Sequence, residues 1–240
     1  MARTKSARRP RSSSRLKRFL RGLLVTALVV IFVLPVGLVL TYRFVPPPLT
    51  FLMVERAVQG HGIDHRWRSL GSMDPDLARA AIASEDARFC LHHGFDFNAL
   101  QKAYQHNQDS SRIRGGSTIS QQTAKNVFLW VERSYVRKGL EAYFTILIET
   151  FWGKRRIMEV YLNTIEMGPG VYGAESAAHH YYGVGANKLS LGQASRIIAI
   201  LPSPLRYKVT GAGPYVVGRS ASIAARAQEV ARSGGSACLN

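Results

Sequence analysis

Two groups of charged side chains occupy the parts of this sequence best suited to chemistry. An acidic pair, Glu85-Asp86, opens one short segment, and a further carboxylate, Glu141, closes another. Four basic side chains precede Glu141, and they are Lys125, Arg133, Arg137 and Lys138. Separated carboxylates are typical of sugar chemistry, and clustered cations bind phosphate oxygens. The combination predicts chemistry on a sugar that carries a phosphate leaving group.

Glu85 ends a predicted helix that begins at the capping residue Asp74 and has proline in its first turn. The residues before Glu85 are apolar and small, a setting that suits a proton acceptor or donor. The alternative is a surface glutamate that completes an ordinary helix. The downstream Phe89, His92 and Gly94 favour the functional interpretation.

A second segment, from Gly115 to Asn126, places two glycines ahead of a predicted helix over residues 117–128. Glycines before a helix expose backbone N–H groups to an anion. Ser117, Gln121 and Lys125 recur at helical spacing, which predicts one polar stripe. The alternative is a capped, solvated helix, and the sequence lacks the Gly-Lys-Ser/Thr run of a nucleotide-binding loop.

The third segment contains Arg137 and Glu141, which are four residues apart on a predicted helix over residues 134–152. They could form an ordinary helical ion pair, or the guanidinium could bind phosphate with Glu141 holding the cations or a metal. Further along, Glu159 and Asn163 are expected to support the site. His92, His179 and His180 lack metal-ligand spacing.

Charge is unevenly distributed over the 240 residues. The net charge is +17, from 32 basic and 15 acidic side chains, and the first 21 residues contain nine basic side chains and no acidic one. A basic protein has anionic partners such as nucleic acid, anionic lipid or phosphorylated substrates. Residues 1–18 lack apolar periodicity and are expected to be disordered.

An uncharged apolar run covers residues 22–42. As a helix it would be about 30 Å long, the thickness of a bilayer core. A cleaved signal peptide is the alternative, but the run is long and ends without a small-x-small site. The sequence therefore predicts a basic cytoplasmic tail over residues 1–21, a transmembrane helix over 22–42, and a globular domain over 43–232 outside the cytoplasm. Apolar residues 49–54 are expected to touch the bilayer.

The globular part is predicted to be mainly α-helical, with one short strand over residues 207–210. The other predicted helices cover residues 97–106, 156–163, 174–182, 190–201 and 218–231. Two cysteines do not make a disulfide framework, so Cys90 and Cys238 are expected to be free thiols. Residues 233–240 are expected to be a flexible C-terminus.

Four segments in this order resemble the peptidoglycan glycosyltransferases, glycosyltransferase family 51, and the last of them is Tyr161-Leu162-Asn163. The family pattern E-D-x-x-F-x-x-H-x-G is matched by Glu85, Asp86, Phe89, His92 and Gly94. The pattern G-G-S-T-I-x-Q-Q-x-x-K-N is matched from Gly115 to Asn126, and R-K-x-x-E by Arg137, Lys138 and Glu141. The resemblance covers about residues 45–207. No match to transpeptidase motifs follows it, so the chain resembles the monofunctional members.

The resemblance implies a lysozyme-like fold and extension of a glycan from lipid II. Glu85 would be the general base on the 4-hydroxyl of the incoming sugar, and undecaprenyl diphosphate would leave from the other substrate with inversion to a β-1,4 bond. Cations would stabilise the diphosphate, with Glu141 supporting them. The implied diphosphate and donor residues are Lys125, Arg133, Arg137, Lys138, Ser117, Gln121 and Asn126.

The implied location is the bacterial inner membrane, crossed once, with the N-terminus in the cytoplasm and the catalytic domain on the periplasmic side. Partners would be lipid II, undecaprenyl-diphosphate-linked glycan and the membrane, with cell-wall synthesis proteins as candidates and nucleic acid excluded. The resemblance implies no definite requirement for a cofactor, and a divalent cation such as Mg²⁺ is a candidate. The rival functions are a glycan-cleaving lytic transglycosylase or muramidase and a non-catalytic, membrane-anchored anion-binding module.

Overall fold

The computed structural model describes residues 12–109, 115–132 and 134–240, and its contacts divide the chain into residues 1–41 and 42–240. The helical N-terminal segment consists of α1 (Ser12–Leu28), a wider π-helical turn (Val29–Val33) and the start of α2 (Leu34–Phe44). Pro35 follows the wide turn and lacks the N–H that a regular helix would donate, a known cause of such turns. The stretch Leu16–Phe44 is long and apolar enough to cross a membrane. The helix begins at Ser12, so the expectation of a disordered tail is wrong for residues 12–18.

The larger unit is mainly helical, as predicted. Its helices are α3 (Phe51–Val58), α4 (Pro75–Glu85), α5 (Phe97–Asp109), α6 (Ile119–Phe128), α7 (Tyr135–Phe151), α8 (Lys154–Thr164), α9 (Ala174–Tyr182), α10 (Leu191–Ala199) and α11 (Pro214–Arg232). Short 3₁₀ turns cover Leu70–Ser72, Phe89–Leu91, Ala186–Lys188 and Ala237–Leu239.

Local capping sets where the site-bearing helices begin. The Asp74 carboxylate accepts the N–H of Asp76 at 2.9 Å, with Pro75 in the first position of α4. Thr118 and Gln121 form a reciprocal capping box at α6. Ser134 accepts the N–H of Arg137 at 3.1 Å at the start of α7. Each cap satisfies N–H groups that the first helical turn leaves unpaired.

Two groups of helices form the core. α4 packs on α10 and α11, and α6 packs on α7 and α8. Ala80 and Ala81 of α4 are fully buried, and their small side chains allow close packing. In the second group, Phe128 of α6 stacks on Phe144 of α7 with ring centroids 4.5 Å apart. Glu85 lies at the C-terminal end of α4 and is thereby fixed by the first group.

A three-stranded sheet of order β1-β3-β2 lies beside these helices. It comprises β1 (Asp64–His65), β2 (Glu166–Gly168) and β3 (Val171–Tyr172), with β3 parallel to β1 and antiparallel to β2. Gly170 in the connecting turn has φ 71°, and an added Cβ would lie 2.2 Å from the carbonyl oxygen of His61. The prediction of a strand over residues 207–210 was wrong, because that stretch is an irregular loop that ends in a bend and a turn.

The prediction of free thiols was wrong. Cys90 and Cys238 form a disulfide, with their Cα atoms 5.6 Å apart. The C-terminal segment is also held more firmly than the flexible end we expected. Leu239 is buried, and its carbonyl oxygen accepts a hydrogen bond from Arg155 of α8. The fold brings together cysteines that are 148 residues apart in sequence.

Candidate active site

The Glu85 carboxylate lies at the edge of a cleft and is held by three hydrogen bonds. Its Oε1 accepts the Ser84 hydroxyl at 2.8 Å and an Arg219 guanidinium N–H at 3.3 Å. Its Oε2 accepts the Gln122 amide at 3.1 Å. The side chain is 16% exposed. Glu85 is therefore a partly buried carboxylate, oriented by groups from three helices, that still reaches solvent.

Asp86 directly follows Glu85 and is directed into the core. Its carboxylate accepts the backbone N–H of Ile119 at 3.0 Å and lies 2.9 Å from Nε2 of His92. Both side chains are buried. A second contact comes from Thr118, whose hydroxyl donates to the carbonyl oxygen of Gly94 at 2.6 Å. The segment after α4 is thus fastened to the N-terminus of α6.

The predicted cation cluster exists around Glu141. The Glu141 carboxylate, 3% exposed, accepts Nη1 of Arg137 at 2.9 Å and also contacts Nζ of Lys138. The Arg137 side chain is itself buried, and its Nε has no hydrogen-bond partner among the described residues. That nitrogen is enclosed by protein atoms, so Arg137 reaches the surface of the site through its other atoms. The helical ion pair expected from the sequence is therefore present, and an anion site at the same residues stays a prediction.

A cleft of about 580 Å³ runs along this cluster, with Lys125, Arg137, Lys138 and Glu141 in its wall. Its polar lining includes Ser117 and Asn126, and its apolar lining comprises Leu52, Leu129, Trp130, Val131, Ile165, Leu201, Pro202 and Pro204. We call this space the cation cleft. Its mixture of cations and apolar side chains suits an anionic group joined to a hydrocarbon.

A second cleft, of about 730 Å³, contains Glu85 and adjoins the cation cleft. We call it the Glu85 cleft. Both clefts share Ser117, Gln122 and Pro202 in their linings. Because Gln122 also binds the Glu85 carboxylate, this residue lies where the two spaces meet. The structure therefore places a carboxylate and a cation cluster on adjoining surfaces, as the sequence predicts.

The predicted polar stripe on α6 is only partly correct. Ser117 lies before the helix and is exposed, Lys125 reaches the cation cleft, and Gln121 does not share their surface. The Gln121 side chain is buried and accepts the N–H of Thr118 at 3.0 Å as part of the capping box. Gln122 occupies the position that we expected for Gln121. Arg133 lies outside the described residues.

Two residues at the site were missed by the sequence interpretation. Gln122 is the second glutamine of the Gln-Gln pair, and helix phase alone does not choose between them until the first helical residue is known. Arg219 has no local signal, because it contacts Glu85 only through the packing of α11 on α4.

Tyr161 of α8 lies beneath the carboxylates and is fully buried. Burial raises its pKa well above the usual value, and the nearby charges of Glu85 and Asp86 raise it further. Its hydroxyl is 3.4 Å from the side-chain oxygen of Gln122. Tyr161 therefore remains a neutral hydrogen-bond donor behind the residue that holds Glu85.

Arg56 and Glu166 also line the cation cleft. Nε of Arg56 lies 3.3 Å from Oε1 of Glu166. Burial raises the pKa of the Glu166 carboxyl, although Arg56 and His61 partly oppose that effect. The neighbouring Tyr172 also has its pKa raised to about 12, chiefly by burial. Ionising Glu166 or Tyr172 therefore costs more free energy than ionising the same group on an exposed surface.

The expected supporting residues fix backbone segments. The buried Asn163 amide donates to the carbonyl oxygen of Arg68 and its oxygen accepts the Arg68 N–H, both at 2.8 Å. Glu159 accepts the N–H of Leu70 at 2.8 Å. Among the described residues, no three His, Cys, Asp or Glu side chains are grouped to hold a metal ion.

Comparison with known proteins places these features in a family. The family model described as Transglycosylase matches residues 53–232. A biosynthetic peptidoglycan transglycosylase of Caulobacter vibrioides is 59% identical over 223 residues, which are 93% of this chain and 97% of that protein. Proteins of the same description from Bdellovibrio bacteriovorus and Pseudomonas aeruginosa are 52% identical over 210 residues and 54% identical over 194. These alignments cover 85% and 78% of this chain, and 84% of each relative. The chain belongs to the transglycosylase family.

Proposed function

We propose that this transglycosylase polymerises lipid II into β-1,4-linked peptidoglycan strands and releases undecaprenyl diphosphate. The observation that carries the proposal is the junction at Gln122, where the Glu85 cleft meets the cation cleft. A glycosyl transfer from a lipid diphosphate needs a base at one carbon–oxygen bond and cations at the other. The relatives, described as biosynthetic peptidoglycan transglycosylases, support the same reaction.

The chemistry follows from the two clefts. Glu85 accepts the proton of the acceptor's 4-hydroxyl as the oxygen forms a bond to the donor's anomeric carbon. The bond from that carbon to the diphosphate oxygen breaks, and its electron pair leaves with the diphosphate. Attack opposite the leaving group inverts the configuration at the anomeric carbon.

Lys125, Arg137 and Lys138 stabilise the charge that develops on the departing diphosphate. Arg133 and Asn126 complete the proposed diphosphate and donor contacts, and Ser117 lies where both sugars must pass. The role proposed for Gln121 is to hold the start of α6 rather than to touch substrate.

A divalent cation such as Mg²⁺ does not fit Glu141 well. That carboxylate already contacts Arg137 and Lys138, and two cations repel a third positive charge. We therefore assign no step to a metal ion.

The cation cluster distinguishes polymerisation from the rival functions. A lytic enzyme or muramidase cleaves glycan and has no diphosphate to stabilise, so it does not need Arg137 and Lys138 beside Glu141. A binding-only module does not need a carboxylate held as Glu85 is held. The geometry of both clefts supports synthesis.

We also propose a single-pass anchor in the bacterial inner membrane, with the N-terminus in the cytoplasm and the domain on the periplasmic side. The basic N-terminal residues favour that orientation. The Cys90–Cys238 disulfide supports an oxidising compartment for the domain. In spheroplasts, added protease should digest the domain and leave an N-terminal tag intact. Digestion of the tag with a protected domain would reverse the orientation.

Helix α3 supports contact between the domain and the membrane. Its outward face exposes Phe51, Val54 and Val58, whereas Leu52 lines the cation cleft. Replacement of Phe51 and Val54 by serine should raise the KM for lipid II in liposomes more than in detergent. Equal changes in both media would contradict bilayer contact.

The reaction is tested by incubating labelled lipid II with the full chain in detergent, beside Glu85→Gln. We expect the wild type to make long strands that lysozyme degrades, and the variant to make none. Strands from both proteins would exclude Glu85 as the base. No strands from folded wild type would contradict polymerisation itself.

A further inference from the structure

We propose that Arg219 is a positioning residue that directs proton transfer to one particular oxygen of Glu85. The proposal rests on the proposed function, in which Glu85 is the base, and it goes further by naming the accepting atom and the residue that selects it. Arg219 belongs to α11, outside the four segments that carry the family resemblance.

The two oxygens of the Glu85 carboxylate differ in how they are occupied. Oε1 accepts hydrogen bonds from Ser84 and Arg219, whereas Oε2 accepts one from Gln122. A carboxylate oxygen has about two lone-pair sites. Oε1 is thus filled by the described residues, and Oε2 retains a site for an incoming hydroxyl.

Arg219 is placed to make this selection reliably. One nitrogen, Nη2, donates to the Ser84 hydroxyl at 2.9 Å and to Glu85 Oε1 at 3.3 Å. A single guanidinium thus fixes both the carboxylate and the hydroxyl that shares the same oxygen. The Arg219 side chain is 25% exposed, so solvent only partly screens its charge.

The cation also favours the form of Glu85 that can act. A neighbouring positive charge stabilises a carboxylate against protonation. During transfer the O–H bond of the acceptor breaks, its proton bonds to Oε2, and Arg219 keeps its own protons on Oε1 and Ser84. Without Arg219, both oxygens are open to protonation or to a misplaced hydroxyl.

Other charged or titratable groups face this carboxylate and belong in any analysis of pH dependence. Asp86 is adjacent, and the neutral Tyr161 lies below from α8. The remaining groups line the Glu85 cleft or a neighbouring cleft of about 670 Å³ whose wall also includes Glu85, and they are Arg88, Asp96, Lys102, His106, Tyr215 and Arg226. His106 is the histidine in this set, so the profile is also measured in a His106→Gln background.

The test compares Arg219→Gln, Arg219→Lys and wild type in full-chain polymerisation of lipid II over a range of pH. We expect Arg219→Gln to lower kcat by about 10- to 100-fold, part of the contribution typical of a general base, and to change KM less than twofold. The acid limb of the rate profile should move to higher pH, because the cation that favours the carboxylate is gone. Arg219→Lys should return the acid limb to its wild-type pH but restore only part of kcat. Lysine keeps the positive charge but lacks the paired N–H donors of the guanidinium.

The matched control is Arg232→Gln on the same helix, where Arg232 forms an exposed pair with Glu229. It should leave kcat and the acid limb unchanged. A lower melting temperature for Arg219→Gln with an unchanged pH–rate profile would show that Arg219 only stabilises the packing of α11 on α4. That result would overturn the proposal. A higher KM at constant kcat would make it a substrate contact, and would also overturn it.

A second measurement tests the effect of Arg219 on Glu85 without turnover of lipid II. Titration of the ¹³C-labelled glutamate carboxyls by NMR follows Glu85 without turnover, with its signal assigned from Glu85→Gln. We expect its midpoint to move to higher pH in Arg219→Gln and to return in Arg219→Lys, even if lipid II is not the substrate. An unmoved midpoint would overturn the coupling, while a wild type without polymerisation would overturn only the proposed function. If Arg219→Gln does not fold, Arg219→Met, which also removes the charge, provides the same comparison with Arg219→Lys and wild type.

Discussion

The carboxylate of Asp86 accepts the backbone N–H of Ile119 at 3.0 Å and so joins the residue after Glu85 to the first turn of α6. Since α6 also carries Gln122 and Lys125, this one contact fixes Glu85 relative to the cation cleft. His92 holds the other side of the same carboxylate at 2.9 Å. The distance between the two clefts therefore depends on a buried side chain that touches no substrate.

Replacing Asp86 with alanine should destabilise the domain and abolish polymerisation. The substitution leaves the Ile119 N–H and the His92 ring nitrogen buried without their partner. Each unsatisfied buried group typically costs about 1–3 kcal/mol, and a loss of about 2–6 kcal/mol lowers the melting temperature of a domain this size by about 4–24 °C. The measurement is thermal unfolding of the full chain in detergent, followed by a lipid II assay below the transition. Asp64→Ala is the control, because Asp64 forms an exposed pair with Arg66. Equal melting temperatures for both variants would contradict the assigned role of Asp86.

Glu141→Gln should reduce kcat/KM by about 10- to 100-fold, which corresponds to about 1.4–2.7 kcal/mol of transition-state stabilisation. The neutral amide no longer balances Arg137 and Lys138, so these cations repel each other and lose their common orientation. In the proposed reaction these cations act on the leaving diphosphate, so most of the loss should appear in kcat. Steady-state polymerisation measures it, with Glu229→Gln as the control on an exposed pair. A loss confined to KM would indicate ground-state binding instead.

The raised pKa of Glu166 predicts a pH-dependent penalty on stability. Burial is the main cause, and a carboxyl whose folded pKa is raised contributes stability below its ordinary value of 4.5. That contribution is lost as the pH rises through the raised folded value. The difference in melting temperature, Glu166→Gln minus wild type, should therefore increase from pH 4 to pH 7. A difference independent of pH would show that Glu166 does not titrate in this range.

Breaking the Cys90–Cys238 disulfide should lower the melting temperature under non-reducing conditions. Closing a loop of 148 residues stabilises by about 5 kcal/mol on the chain-entropy estimate, and loss of a native disulfide typically costs 2–5 kcal/mol. The Cys90→Ser, Cys238→Ser double variant should melt about 4–20 °C below the oxidised wild type. The reductant-treated wild type should behave like the variant. Alkylation followed by mass spectrometry checks the thiol state, and equal melting of oxidised and reduced protein would contradict a stabilising bond.

The sequence predicted the features that depend on neighbouring residues. The cap at Asp74, the apolar stripe of α7 and the family motifs are local, and they identified the helices and most of the cation cleft. The error at Gln121 arose from a two-residue difference in where α6 begins. With Thr118 as the N-cap, Gln121 is the third helical residue and closes the capping box, and the contact with Glu85 is made by Gln122.

Non-local features could not be predicted in the same way. Arg219 is 134 residues from Glu85 in sequence, and only the packing of α11 on α4 brings them together. The sheet depends on pairing between β1 and β3, two-residue strands with no alternating pattern to detect. Prediction of the Cys90–Cys238 disulfide would require knowing that the C-terminus packs against α8. Neither the composition nor the number of cysteines indicates that path.

The disulfide also imposes an order on the biogenesis of the enzyme. Cys90 sits five residues after the base, and the polypeptide from α5 through α11 must be made before Cys238 appears. At about 5–20 residues per second, ribosomes need about 7–30 s for that stretch. During this interval each nascent molecule carries an unpaired thiol beside its unfinished catalytic loop. The disulfide therefore forms late in the maturation of each molecule. Cells with too little oxidising capacity would accumulate full-length enzyme in which Cys90 and Cys238 are still reduced.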